Sequence, residues 1–528
     1  MPATPNHTQA RNAARVPAAR PCPKPLRERQ SRGTRESPRT LSMRANRSMQ
    51  TDPNILFLMT DQMQGRVLDP SHICRTPNFD RLIDRGVRFR RAYTPNAVCS
   101  PARASLMTGL LPHNHGVLEV IHCVDEDQSN LRPHKPHWAQ RLALAGYRTG
   151  YFGKWHVERT NDLAQYGWDT DGNSATSLFQ DHRAEVEREH GASDSFSISK
   201  MNDQPPGYRH TLLYGVTDLP PEARGVGITT GLAYDFLEEA TVHEEPWCCF
   251  VSVTEPHDPF VAGEEAFSLY DVDAIELQPN VHDDLAGRPG IYRKAGLTWD
   301  GITDRELREA AACYYASITE IDAQYGRLLS LLETRRALDD TIVILTSDHG
   351  ELLGAHGLFC KNFSGFEEVY NIPMVVAGPG VAEGVECDAR VGLHDLCPTL
   401  VDLGDAESIR VSDSRSFASI LADPAAAPDR EWRKGYAEYH GNRFKVTQRV
   451  IWDGPWKLVW NGFDFDELYN LDDDPYEMTN LADIPSYRPR VNELMAHAWN
   501  VIRATDDRSL LNSHYPILRL GSVGPDAV

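Results

Sequence analysis

The sequence contains no apolar run approaching the ~20 residues that a membrane-spanning helix needs. Its Arg- and Pro-rich first 50 residues also lack the apolar core of a secretory signal. Ten cysteines among 528 residues, two of them adjacent (Cys248-Cys249), show neither paired spacing nor metal-knuckle spacing. A disulfide scaffold and a zinc ribbon are therefore excluded, and the expectation is free thiols in a reducing cytoplasm. Internal repeats are absent, which excludes a solenoid. Positive charge is scarce, with 54 Lys and Arg against 75 Asp and Glu and a net charge of −21. Residues 1–50 hold eleven Arg and Lys against two Glu, so the remainder carries 43 basic and 73 acidic side chains, or −30. Polyphosphate binding wants the opposite sign, so no nucleic-acid partner is expected for the folded body, and no membrane partner either. Highly sulfated polymers are disfavoured for the same reason unless a local basic pocket overrides the field. Assembly into a homo-oligomer is left open.

At this length the chain is expected to form more than one domain. Apolar content of 41% and charged content of 24% are those of ordinary globular proteins. Residues 1–50 have nothing to bury and read as a disordered basic arm, and Met43 and Met49 lie close to where the fold begins.

The body alternates short apolar runs with helical patterns. Residues 54–59 (Asn-Ile-Leu-Phe-Leu-Met) read as a buried parallel strand ending in Thr60-Asp61-Gln62. A helix over 78–85 turns Phe79, Leu82 and Ile83 inward and stops at Gly86; a second covers 138–145. A strand over 149–152 then leads into Gly153-Lys154-Trp155-His156. Residues 247–254 form another strand, delivering Glu255-Pro256-His257-Asp258-Pro259, and 304–338 hold the longest helical pattern. The strand 341–346 ends in Ser347-Asp348-His349-Gly350-Glu351, 373–377 supplies a further strand, and 394–403 another helix. The fold class is thus α/β, a large, mostly parallel sheet between helices, over residues 51–424. Residues 170–225 are polar and weakly periodic, a loop-rich insertion suited to the rim of a site. Beyond 425 the texture changes to short strands (436–440, 446–452, 456–461, 467–471), a small antiparallel α+β domain over 425–528.

The chemistry centres on Cys99-Ser100-Pro101-Ala102-Arg103, followed by an apolar run and Thr108-Gly109. A thiol at a helix N-terminus with a guanidinium one turn on suggests an anion site with a nucleophile; the alternative is a buried structural cysteine before a helix. Asp61-Gln62 and Asp348-His349, at strand ends, offer two carboxylates, an amide oxygen and an imidazole, suited to a hard divalent cation. The plainer readings are a helix cap for Asp61 and a turn for Asp348-His349. Lys154 reads by default as a surface lysine.

Taken together these motifs, spread over about 54–482, resemble those of the type I sulfatases of the alkaline-phosphatase-like superfamily, in the branch of choline-sulfatases and arylsulfatases. The phrase Glu467-Leu468-Tyr469-Asn470-Leu471-Asp472 with Asp474-Pro475-Tyr476-Glu477 is similar to their small C-terminal domain. The resemblance implies that Cys99 is converted by a formylglycine-generating enzyme to formylglycine, acting as its hydrate. It implies one divalent cation, Ca²⁺ with Mn²⁺ as the alternative, on Asp61, Gln62, residue 99, Asp348 and His349. The commoner family pairs are Asp-Asp and Asp-Asn, so Gln62 and His349 depart from the pattern and weaken the choice of ion. Arg103 would stabilise the hydrate, Lys154 would hold the sulfate, and His156 would take the proton when the sulfated intermediate collapses. His257 and Lys361 would bind sulfate and protonate the leaving oxygen. His113, His115 and His122 receive no role; solvated side chains are expected, with one lining the pocket as the alternative.

The implied activity is hydrolysis of a small-molecule or terminal-sugar sulfate monoester to alcohol and sulfate by covalent catalysis. Two rivals remain: a phosphonate monoester or phosphodiester hydrolase, a branch that tends to place Tyr and Thr where this chain has Lys154 and His156, and an inactive sulfatase-like binding protein.

Overall fold

The computed structural model describes residues 52–527 apart from 161, 192–194, 362, 428–429, 443 and 513–514. The basic arm expected over 1–50 lies outside the described residues.

The centre is β1 (Asn54–Thr60), with every residue after Asn54 buried. The other strands of its sheet are β2 (Gly86–Phe89), β3 (Arg148–Gly153), β4 (Thr170–Asn173), and, after the insertion, β7 (Trp247–Ser252), β9 (Thr341–Ser347), β10 (Met374–Ala377) and β11 (Val385–Cys387). The insertion supplies β5 (Phe196–Asn202) and β6 (Thr211–Thr217), and β8 (Phe260–Gly263) follows β7. The eight-stranded order is β11-β2-β10-β9-β1-β7-β3-β4. β1 pairs in parallel with β9, from Asn54 opposite Thr341 to Thr60 opposite Ser347. On its other side Met59 lies opposite Ser252, and Ser252 opposite Gly153 on β3. Four carboxyl ends therefore emerge together, which is where such sheets collect ligand groups.

Side-chain alternation divides the core into two layers. Leu56, Leu58, Val343 and Leu345 face one cluster, under α5 (Gly225–Ala240) and α6 (Asp304–Arg335), which also takes Phe79 and Leu82 of α1 (Pro77–Asp84). Ile55, Phe57, Ile342 and Ile344 face the other, under α2 (Cys99–Thr108), α3 (Trp138–Leu144) and α7 (Leu396–Leu403). α6 starts with a capping box, Thr303 and Glu306 each satisfying the other's backbone N–H, a device worth about 1 kcal/mol.

The mostly parallel sheet contains one reversed strand, and one expectation needs correction. β10 runs antiparallel to both neighbours, because the chain from β9 carries only the one-turn helix Glu367–Tyr370 and re-enters from the end it left. The segment 170–225 is not loop-rich. It holds β4, the fourteen-residue α4 (Ser177–His190) capped by the Thr176 side chain, and the β5–β6 hairpin. Its periodicity was weak because α4 buries only Phe179 and β5 alternates half-buried with exposed positions, touching the core through Ile198. β6 pairs in parallel with β8.

The C-terminal sheet, β12 (Lys434–Gly441), β13 (Lys445–Asp453), β14 (Trp456–Asn461) and β15 (Glu467–Asn470), is antiparallel throughout. Ala437, Val450, Trp452 and Val459 share a cluster with Tyr93, Leu352, Phe366 and Tyr370 of the main body. Its opposite face packs under α8 (Arg488–Ala504) through Ile451, Leu458, Leu468, Leu494 and Trp499. No helix among the described residues is long and apolar enough to cross a membrane, and the nine described cysteines are free thiols.

Candidate active site at the carboxyl ends of the central strands

α2 begins at Cys99 itself. Val98 precedes it in extended conformation without a side-chain cap, so the first turn presents bare backbone N–H groups. Pro101 costs little there, since its missing N–H lies in the first turn. All ten residues of α2 are buried, and the helix ends at Gly109 in the left-handed conformation (φ 70°).

Arg103, 1% exposed, knits four strand ends together. It donates from Nε to Asp348 Oδ2 at 2.8 Å, from Nη2 to Asp61 Oδ2 at 3.2 Å, and from Nη1 to Ser252 Oγ at 2.8 Å and the Lys154 carbonyl at 2.9 Å. Lys154 Nζ pairs with the same oxygen of Asp61. Burial and the Cys99 charge push the Asp61 carboxyl up, but Lys154, His257 and Arg103 outweigh them and hold it far below the usual range. Cys99 Sγ lies 3.2 Å from His349 Nε2 and 3.8 Å from Asp61 Oδ1. Burial raises this thiol as well, yet Lys154, Lys361 and His349 hold it well below the ordinary value. The site is built to keep an anion at residue 99.

Beside this lies a second group. Lys361 Nζ touches His257 Nε2 and donates to Gln62 Oε1 at 2.7 Å. The Gln62 amide donates to Asp258 Oδ1 at 2.9 Å and to Glu351, and its backbone N–H to Asp348 Oδ1 at 3.1 Å. Burial and Lys361 depress His257, but Asp61, Cys99 and Asp258 leave it raised overall. Burial lifts Glu351 to about 7, with the Asp258 charge reinforcing it. The structure thus brings together Asp61, Gln62, Cys99, Arg103, Lys154, His257, Asp348, His349 and Lys361, with His156 in hydrogen-bond contact with Cys99. Asp258 and Glu351 were missed, although each sits within two residues of a histidine that had been singled out.

The histidines after Cys99 correct the expectation of solvated side chains. His113 is half-buried, its Nδ1 2.7 Å from Glu438 of β12, and His115 is wholly buried, its Nε2 3.0 Å from Ser105 Oγ. Only His122 is exposed, and its Nδ1 lies 3.0 Å from His156 Nε2. A cavity of about 350 Å³ shares His257 and Asp258 with the site and is walled by Phe179, Arg183 and Glu187 of α4. A larger one, about 860 Å³, lined by Gln64, Arg66, Tyr93 and Tyr476, takes in none of the residues at the thiol.

The family model for sulfatases matches residues 53–406, two thirds of the chain. The chain belongs to the sulfatase family. A second model, for the C-terminal region of N-sulphoglucosamine sulphohydrolase, matches 354–504. A choline-sulfatase of Rhizobium meliloti is 30% identical over 487 residues, covering 86% of each chain. An N-acetylglucosamine-6-O-sulfatase of Bacteroides thetaiotaomicron is 26% identical over 84% of this chain and 85% of its own. Among solved structures, a phosphonate monoester hydrolase from Silicibacter pomeroyi superposes with a TM-score of 0.72 at 22% identity, over 87% of this chain and 96% of its own. The last shows the shared fold; the family and its sulfatase relatives make this chain a sulfuric ester hydrolase.

Sulfatases carry a metal ion, and the residues fit one. One ligand atom each from Asp61, Cys99, Asp348 and His349 falls within 4.8 Å of the others, all in buried residues. His349 Nδ1 is engaged by the Gly350 carbonyl at 2.9 Å, which turns Nε2 toward the group.

Proposed function

We propose that this sulfatase hydrolyses a small or terminal sulfate monoester through formylglycine made from Cys99. The observation that carries the reading is the convergence on one buried residue 99 of two carboxylates, an arginine, two lysines and three histidines. A divalent cation, Ca²⁺ or Mn²⁺, would be held by Asp61, residue 99, Asp348, His349 and the second lone pair of Gln62 Oε1, and would supply charge neutralisation for the sulfate. The thiol stands where the formylglycine hydrate would sit, a group whose two geminal oxygens serve attack on sulfur and expulsion of sulfate in turn.

The protein's own groups do the rest. Arg103 fixes both carboxylates and adds fixed positive charge beside residue 99. Lys154 and Lys361, on either side, neutralise the sulfate oxygens. His257, its pKa raised by Asp61, Cys99 and Asp258, lies in contact with Lys361, and this pair is placed to protonate the departing alcohol oxygen. His156, which burial keeps neutral, takes the proton of the remaining hydroxyl as sulfate leaves. The α4 wall beside His257 and Asp258 gives the alcohol portion a bounded space, which suits a compact ligand. The test is a screen of protein co-produced with a formylglycine-generating enzyme against aryl, choline and sugar sulfates and phosphodiesters. Mass analysis of the tryptic peptide bearing residue 99 accompanies it. Sulfate release should require the matured residue; a preference for phosphodiesters would overturn the reading.

A further inference from the structure

Among the described residues, buried arginines sit on carboxylates with one exception. Arg88, Arg103, Arg224, Arg288 and Arg449 each pair with an aspartate or glutamate. Arg390 is as deep, 3% exposed, yet no described carboxylate pairs with it. Its Nη1 and Nη2 donate to the carbonyls of Arg433 and of Gly454 (3.0 Å), and its guanidinium faces the Tyr93 ring at 5.2 Å. Its Nε is buried without a hydrogen-bond partner. A charge held this way in an interior costs free energy unless an opposite charge joins it.

Arg390 lines a cavity of about 290 Å³ between segments 390–395 and 412–415 of the main body, the start of β12, and α8. Arg415, Lys434 and His497 line it too, and none of the three pairs with a carboxylate among the described residues. Arg415 Nη1 reaches only the Glu431 carbonyl, at 2.6 Å, and its guanidinium lies 3.6 Å from the centre of the Trp432 ring. Burial lowers the Arg415 pKa, which Asp395 and Glu431 only partly offset. Burial also takes His497 down to about 4, with the Lys434 and Arg415 charges reinforcing it against Asp453. In the same wall Ser414 Oγ and His394 Nδ1 are buried without a partner. The acids of the lining are already engaged or face water. Asp395 accepts the backbone N–H groups of Gly392 and Arg415, both at 2.8 Å, and Asp413 takes the Leu111 N–H at 2.9 Å and the Asn114 amide at 2.8 Å. Glu431 is exposed.

We infer that this cavity is a second anion site, which takes a small oxyanion, sulfate or phosphate, free or as a compact monoester, between Arg390, Arg415, Lys434 and His497. Two guanidinium forks suit the oxygens of such a group, and the volume suits a compact ligand, not a polymer. The site is apart from the catalytic one. Cys99 opens α2, whereas a Cβ on Gly109 at the other end would lie 2.7 Å from Ser414 Oγ, and ten helical residues span about 15 Å. Because its ligands come from the main body, β12 and α8, the bound anion ties the three together. Sulfate would come from the reaction itself, and phosphate would not.

Two measurements test it. In protein labelled with ¹⁵N-histidine and kept as Cys99, sodium sulfate and sodium phosphate are each titrated against sodium chloride at matched ionic strength and constant pH. The ring signals of His497, identified by comparison with His497→Gln, should shift and saturate, with half-saturation near or below ~1 mM for the preferred oxyanion. Lys434→Ala, at an exposed position, and Arg415→Ala should each raise that concentration about ten-fold, with circular dichroism unchanged. A tighter response to sulfate would identify the reaction's own product as the ligand; a tighter response to phosphate would identify phosphate or its esters. Crystals soaked in selenate need no variant, and an anomalous peak should lie beside Arg390 and Lys434. Signals that drift without saturating, or that chloride reproduces, would mean charge screening alone and overturn the proposal. So would a saturation that survives both substitutions, or a selenate peak confined to residue 99.

Discussion

At residue 99 two opposing electrostatic effects meet, and their balance says what the position is for. Burial alone would keep a thiol neutral, as it does for Cys248, pushed far above its ordinary value with nothing to offset it. Cys99 goes the other way because Lys154, Lys361 and His349 face it. We expect Cys99→Ala and Cys99→Ser to fold normally, with unchanged circular dichroism, and to lose all turnover; wild-type rates in either would end the formylglycine reading. Arg103 tests the supporting charge. Arg103→Ala leaves Asp61 and Asp348 buried beside each other without their shared cation, and breaking such a pair costs about 3–5 kcal/mol. Urea unfolding should show that loss in the metal-free protein and a smaller one with Ca²⁺ added, since a cation bound only by the folded state restores part of it. Equal losses in both conditions would argue against a cation on these carboxylates.

Among the elements, what could be read in advance followed from burial. β1, β7 and β9 are continuous apolar runs because both faces are covered, and each delivers its polar pair at the carboxyl end as the sequence suggested. α4 escaped because it buries only Phe179, and β5 because it alternates half-buried with exposed positions; β6, which sends Leu213, Tyr214 and Val216 into the core, was lost in the polar segment around it, and β2 because four residues carry no period. Gly86 looked like a helix stop, yet it opens β2, where a Cβ would lie 2.2 Å from the Val376 carbonyl. His122 could not be placed from sequence, because its partner His156 lies 34 residues on, in another loop. His113 shows what the C-terminal sheet contributes. Burial lowers its pKa, but the hydrogen bond to Glu438 and that carboxylate's charge raise it to about 9, against ~6.5 unfolded. The folded value is the higher one, so the stabilisation is full below pH ~6.5 and fades as pH rises through about 9. His113→Gln should therefore cost about 2 kcal/mol in urea unfolding at pH 6, and the gap from wild type should shrink toward zero at pH 10. A gap independent of pH would mean that His113 acts by packing alone.

For the molecule as a whole, the site and the surface pull in opposite directions on a sulfated ligand. Around residue 99 lie Arg103, Lys154 and Lys361, and neutralising one sulfate there is favourable. Everything from residue 51 onward carries a formal charge of −30, so a long polyanion is repelled wherever it runs beyond that pocket. The α4 wall beside His257 and Asp258 adds a steric element, since Phe179, Arg183 and Glu187 line the neighbouring cavity. A small or terminal ester meets the attraction and escapes most of the repulsion. We expect kcat/KM on a sulfated monosaccharide or aryl sulfate to exceed that on the intact sulfated polysaccharide. The polymer's rate should rise between low and moderate salt, because surface repulsion is screened over the ~10 Å Debye length at 0.1 M. The small ester's rate should change less, because its sulfate is held by buried charges that salt screens poorly. Initial rates of sulfate release for the two substrates at both salt concentrations decide it. Efficient release from the intact polymer with only traces from every small ester would mean that a local basic track overrides the net charge, and the compact-substrate reading would have to be given up.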